Sequence, residues 1–174
     1  MTPLSYALLG LVRQLPRSGY ALRKVFETTP LGGYSSSPGS IYPALKALEK
    51  AGLLETRGSA SHGKGLYHLT PGGERALDDW LGAPIGDLGE AMLRFAFLPD
   101  DDAHAIHSFL DRFEQAASAQ AQGLGAFLAG DGADGMSMKA RLAVEHGRHG
   151  LQASVDWARW ARGQFGEAGR GGSG

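Results

Sequence analysis

The feature that most constrains this sequence is a change of hydrophobic period after Gly52. Before it, apolar residues recur at three- and four-residue intervals, the spacing that lines one face of a helix. After it stand two short runs, Leu53–Arg57 and Gly65–Thr70, around a stretch rich in Gly and Ser. Runs of this length bounded by turn residues read as the strands of a hairpin. Helical spacing then returns. Few architectures accept that order in so short a chain.

The caps divide the first part into three helices. Thr2 before Pro3 is an N-cap followed by Pro at the first helical position, and Leu4, Ala7, Leu8, Leu11 and Val12 carry a helix over 3–14. Pro16 closes it. Ser18 starts a second helix over 18–29, with Tyr20, Leu22, Val25 and Phe26 as its apolar positions, and Pro30, Gly32 and Gly33 end it. The third helix is expected to take Ser37 as N-cap and Pro38 as its first residue, with Gly52 just past its end. Ile41, Leu45 and Leu48 form its buried stripe, and Gly39, Pro43, Lys46 and Lys50 its opposite face, with Tyr42 at the edge. On that reading Pro43 falls six positions into the helix, where it removes a backbone hydrogen bond and should bend or loosen the first turn. Thr70-Pro71 with Glu74 starts a connecting helix to about Leu81, with Ala76, Leu77, Trp80 and Leu81 turned inward. Three helices, a hairpin and a connecting helix within residues 1–82 are the order of a winged helix-turn-helix, in which the hairpin is the wing.

Residues 83–87 are a break, and the remainder reads as helical. A short helix over 87–98 carries Leu88, Met92 and Phe95. After Pro99 and the acids Asp100–Asp102, which favour a helix start, Ile106, Phe109, Leu110, Phe113, Ala117, Leu124 and Leu128 keep helical spacing. A turn at 130–135 leads to a last helix over 136–165, and the Gly-rich tail 166–174 is expected to be disordered. The fold class is therefore mainly α (α+β): an N-terminal winged helix-turn-helix with a two-stranded wing over 1–82, and an all-helical C-terminal dimerisation and effector domain over 87–165.

The net charge of −1 conceals an asymmetry. Residues 1–70 carry eight Lys and Arg against three acids (+5), whereas the rest carries nine against fifteen (−6). A basic half suits a polyanionic partner. With no cysteine, disulfides, thiolate zinc sites and Cys nucleophiles are excluded. No signal-peptide pattern and no apolar run approaching the roughly 18 residues of a membrane span is present, so a cytoplasmic location and no membrane partner are expected.

The segments LLGLV, SGYALRKVFE, SPGSIYPALKALEKAGLLE and YHLTPGGERALDDWL run in order across residues 4–81 and resemble the PadR family of transcriptional regulators. The third segment is the most specific, and the C-terminal half agrees only in helical character and length. The resemblance implies a homodimer joined through the C-terminal helices. It also implies repression or activation, with repression the expectation here, by binding a palindromic double-stranded DNA operator, often relieved by a small ligand.

The residue chemistry suits that reading. A helix N-terminus lined by Ser36, Ser37, Gly39 and Ser40 can approach phosphates with free N–H groups and hydroxyls. Tyr42 can reach with its hydroxyl, and Lys46 projects toward a phosphate or a guanine edge. Arg57, His62 and Lys64 flank the loop of the wing, and Tyr20 matches a family position near DNA. Trp157 and Trp160, in an aromatic C-terminal half, are read mainly as dimer core, with contact to a small hydrophobic effector as the sharper alternative. The pairs His104/His107 and His146/His149 lack a third metal ligand, so neither metal nor cofactor is expected. No nucleophile elbow, P-loop or GxGxxG motif supports an enzyme. The alternative function is a winged-helix interaction module without specific DNA binding.

Overall fold

Helix α1, Pro3–Gln14, begins where the Thr2 hydroxyl accepts from the Ser5 N–H, and it buries Leu4, Ala7, Leu8, Leu11 and Val12. The computed structural model describes residues 1–34, 38–58 and 65–168. Helix α2, Gly19–Thr28, is capped by Ser18 Oγ accepting from the Ala21 N–H and buries Leu22 and Phe26. A 3₁₀ turn, Pro30–Tyr34, follows it. Helix α3, Ile41–Lys50, buries Ile41, Leu45 and Leu48. Its end is a full Schellman motif: Gly52 takes φ +70, its N–H reaches the Glu49 carbonyl at 2.9 Å, and the Leu53 N–H reaches that of Leu48 at 3.0 Å. Only glycine adopts that conformation without steric cost.

The tight reversal aims the chain into strand β1, Leu54–Arg57, which pairs antiparallel with β2, Leu66–Leu69, in the register Leu54↔Leu69, Glu55↔His68, Thr56↔Tyr67 and Arg57↔Leu66. Tyr67 also bridges Arg17, its N–H bonding the Arg17 carbonyl at 2.9 Å, so the chain between α1 and α2 anchors the second edge of β2. Helix α4, Pro71–Gly82, is capped by Thr70. Trp80 on α4 stacks on Tyr6 with ring centres 4.5 Å apart, and Asp78 pairs with Arg13 at 2.8 Å, which fixes α4 to α1.

These elements form one of two compact units, Met1–Ala83; the second is Pro84–Gly174. In the second unit, α5 (Leu88–Phe95), α6 (Ala103–Ala129) and α7 (Met138–Ala168) are joined by short turns. Asp87 and Asp102 cap α5 and α6 with their carboxylates. Phe109, Phe113, Ala91 and Ala158 make one buried cluster, and Ile106, Leu110 and Ala161 another. Trp157 meets Phe95 and Phe113 edge-on, at 5.3 and 5.5 Å between ring centres, an arrangement that the ring quadrupoles favour. Outside the cluster, Arg162 bonds both Asp111 and Glu114, and Arg159 bonds Glu114, tying α7 to α6. Among the described residues no helix is long and apolar enough to cross a membrane.

Three boundaries depart from the sequence reading by three residues: α5 ends at Phe95 and not at 98, and the other two are the start of α3 and the end of α7. Helix α3 starts at Ile41, after a 3₁₀ turn over Pro38–Ser40, and not at Pro38. The cause is Pro43. An α-helix running from Pro38 would place the Pro43 ring against the Gly39 carbonyl and lose the bond between them. Starting at Ile41 makes Pro43 the third helical residue, where an N–H has no partner within the helix in any case. The expected bend is therefore replaced by a later start. The N-cap is Ser40, which makes no side-chain cap bond; Ser37, expected in that role, lies outside the described residues, as does Ser36. At the other end, α7 continues to Ala168, three residues past the expected end, and 169–174 of the Gly-rich tail lie outside the described residues. Glu167 and Ala168 are good helix formers that carry the backbone across Gly166.

Candidate nucleic-acid interface

With Ile41, Leu45 and Leu48 buried, α3 presents the face of Tyr42, Lys46 and Glu49 outward, at intervals of four and three residues. Tyr42 is 41% exposed. Lys46 is exposed and, among the described residues, has no ion-pair partner, so its charge is available to a phosphate. Gly39 is exposed and Ser40 half-buried at the entry to the helix. Tyr20, in the first turn of α2, is 54% exposed, and the Arg23 guanidinium lies 5.9 Å from its ring centre.

A cleft of about 410 Å³ lies between the start of α2 (Ser18, Gly19, Tyr20), Tyr42 of α3, and Thr56, Gly65 and Tyr67 of the wing. Three phenols therefore converge where α3 meets the hairpin. The Tyr67 phenol is raised above its ordinary pKa, first by burial, then by the charges of Glu49 and Tyr42. It remains a protonated donor at neutral pH.

The wing is held from both sides. Thr56 Oγ1 donates to Glu49 Oε1 at 2.8 Å, joining β1 to α3. Gly65 makes this geometry available: a Cβ there would stand 2.2 Å from Thr56 Cγ2. On the alternate face of β1, Arg57 Nε donates to Glu55 Oε1 at 2.8 Å, and its Nη2 reaches the same oxygen. Arg57, expected to meet DNA, is thus exposed but partly neutralised by a neighbour two residues away. His62 and Lys64, the other expected wing contacts, lie outside the described residues.

Of the residues expected at the interface, Tyr20 and Tyr42 line one cleft, and Lys46 lies one turn along α3 from Tyr42. Glu49 and Thr56 were not expected there. Glu49 was legible in part, because its spacing from Tyr42 and Lys46 places it on their face. Thr56 was not, since nothing in a strand pattern tells which helix lies beside it.

In the helical unit, Trp157 lines a groove of about 430 Å³ with Leu88, Met92 and Phe113. Trp160 does not line it; it is 62% exposed. Leu142, Met138 and Phe127 are also exposed, at 59%, 71% and 42%. Among the described residues no group of three His, Asp or Glu side chains is placed to hold a metal ion.

The sequence is similar to known proteins, most specifically over the N-terminal unit. Residues 8–79 match the transcriptional regulator PadR-like family. The Bacillus subtilis (strain 168) negative transcriptional regulator PadR is 36% identical over 84 residues, which are 47% of this chain and 46% of that protein, so the match spans about half the length of the relative. Among solved structures, Bacillus subtilis PadR in complex with p-coumaric acid is 24% identical with TM-score 0.42, covering 94% of this chain and 98% of that one. The same protein in complex with operator DNA gives 24% and TM-score 0.41, covering 92% and 97%. The helix order, the wing and the matched segment together identify the N-terminal unit of this chain as a domain of the PadR-like family of transcriptional regulators.

Proposed function

We propose that this chain is a homodimeric transcriptional regulator, a repressor, that binds a palindromic operator through α3, the start of α2 and the wing. The observation that carries the reading is the outward face of α3. Lys46 is exposed and unpaired there among the described residues, beside a cleft of tyrosine hydroxyls, on the +5 half of an otherwise acidic chain. Cations supply affinity through counterion release, and neutral donors fix the register on the backbone. The sequence match to a protein named a negative transcriptional regulator supports repression. Tyr20, Gly39, Ser40, Tyr42, Lys46 and Arg57 would meet DNA together with Ser36, Ser37, His62 and Lys64. The chain would act in the cytoplasm and carry no enzymatic activity.

Dimerisation is proposed for the helical unit because it leaves Trp160, Leu142, Met138 and Phe127 in solvent, which a second copy would cover. The groove at Trp157 is the proposed seat of a small hydrophobic effector; Trp160 is assigned to the dimer contact. The test is a mobility-shift titration on the gene's own upstream DNA. A shift that weakens steeply with salt supports the reading. No shift at low salt refutes it and returns the interaction-module alternative.

A further inference from the structure

Glu49 is out of place on a surface that is to meet phosphates. It is exposed, it shares a face with Tyr42 and Lys46, and among the described residues it has no ion pair. Its bond goes instead to the hydroxyl of Thr56, whose register partner on β2 is Tyr67. The other edge of Tyr67 is fixed to Arg17 through the backbone. A carboxylate here costs affinity for DNA by repulsion, so its presence needs a compensating role.

We infer that Glu49 is a positioning residue: its carboxylate sets the angle of the wing against the recognition helix through Thr56, and it does not read a base. The inference rests on the DNA-binding reading above. The geometry explains why an acceptor is needed at this point. The Thr56 Cγ2 lies over Gly65, where a Cβ would approach to 2.2 Å, so the side chain is seated by its methyl and leaves its hydroxyl toward α3. Glu49 is in the last turn of α3, just before the Schellman reversal that launches β1, so one bond stiffens the join between helix and wing. The two strands of the wing are then held at a set distance from Lys46.

The experiment separates charge from geometry on a duplex selected by the protein from a random pool. Glu49→Gln keeps an acceptor oxygen and removes a charge. It should bind about twofold tighter at low salt, the size expected for one unit charge about 8–10 Å from a phosphate in water. Thr56→Val keeps the branched shape and removes the donor. It should bind about fivefold weaker, the scale of one hydrogen bond of this kind. Glu49→Ala should be weaker than Glu49→Gln, and Glu49→Ala with Thr56→Val no weaker than Thr56→Val alone, because the clamp can be broken only once. Three results would overturn the inference: Glu49→Ala binding as tightly as Glu49→Gln, a change of preferred base in Glu49→Gln with Thr56→Val silent, or no difference among the variants. Hydrogen exchange of the wing amides in the absence of DNA keeps the two readings apart. Faster exchange in Glu49→Ala and Thr56→Val, with Glu49→Gln like the native protein, supports the clamp even if no duplex is bound; unchanged exchange in all three overturns it.

Discussion

Replacing Pro43 by Ala distinguishes two accounts of how α3 begins, because they give opposite signs. If the helix ran from Pro38, Pro43 would be an interior proline that costs about 3 kcal/mol, and its removal would stabilise the unit by about that amount. In the structure the helix starts at Ile41, and Pro43 is its third residue. The N–H restored by alanine then has no acceptor within the helix, so nothing is gained there. What is lost is the restriction that proline places on the unfolded chain, about 0.4–1 kcal/mol. Pro43 is also exposed, so no cavity is left behind. For a unit the size of Met1–Ala83, 1 kcal/mol corresponds to about 4–8 °C in Tm. The expected result is a fall of about 2–8 °C. The assay is thermal unfolding followed by Trp80 emission in a Trp157→Phe, Trp160→Phe background, at one fixed protein concentration. A rise of more than about 5 °C would refute the argument and return Pro43 to the helix interior.

Three further outcomes rest on the same geometry. Lys46→Ala should weaken DNA binding without lowering Tm and reduce the salt slope by about 1, because one phosphate is no longer neutralised; an unchanged slope removes Lys46 from the interface. Trp157→Ala, which empties space against Phe95 and Phe113, should destabilise the helical unit by about 3 kcal/mol or more, whereas Trp160→Ala should change its folding stability by less than about 0.5 kcal/mol while shifting a monomer–dimer equilibrium measured by light scattering. The Glu114 carboxyl is held below its ordinary pKa, first by the hydrogen bond from Arg162, then by that from Arg159. A depressed folded-state pKa contributes stability that is present above the unfolded value and is lost as pH falls through the folded one. Urea unfolding should therefore show Glu114→Gln less stable than the native protein near neutrality, with the difference closing as pH drops below about 4; a difference that stays constant across that range contradicts the pairing.

The sequence by itself determined the order of elements and most of their ends. Thr2, Ser18, Thr70, Asp87 and Asp102 each begin a helix by accepting from an N–H three residues on, a bond that is local and so can be read from the chain. Gly52 ends α3 for a reason equally local, its positive φ. The stripes Ile41, Leu45, Leu48 and Leu4, Leu8, Leu11 were legible because burial on one face imposes a period. The tertiary structure decided what no period encodes: which element faces which. Only packing brings Arg17 to the edge of β2, sets Thr56 against Glu49, and separates a half-buried Trp157 from an exposed Trp160 three residues later. The start of α3 stands between the two classes: the conflict between the Pro43 ring and the Gly39 carbonyl is local and legible in the chain, but the structure relieves it by starting the helix at Ile41 rather than by a bend.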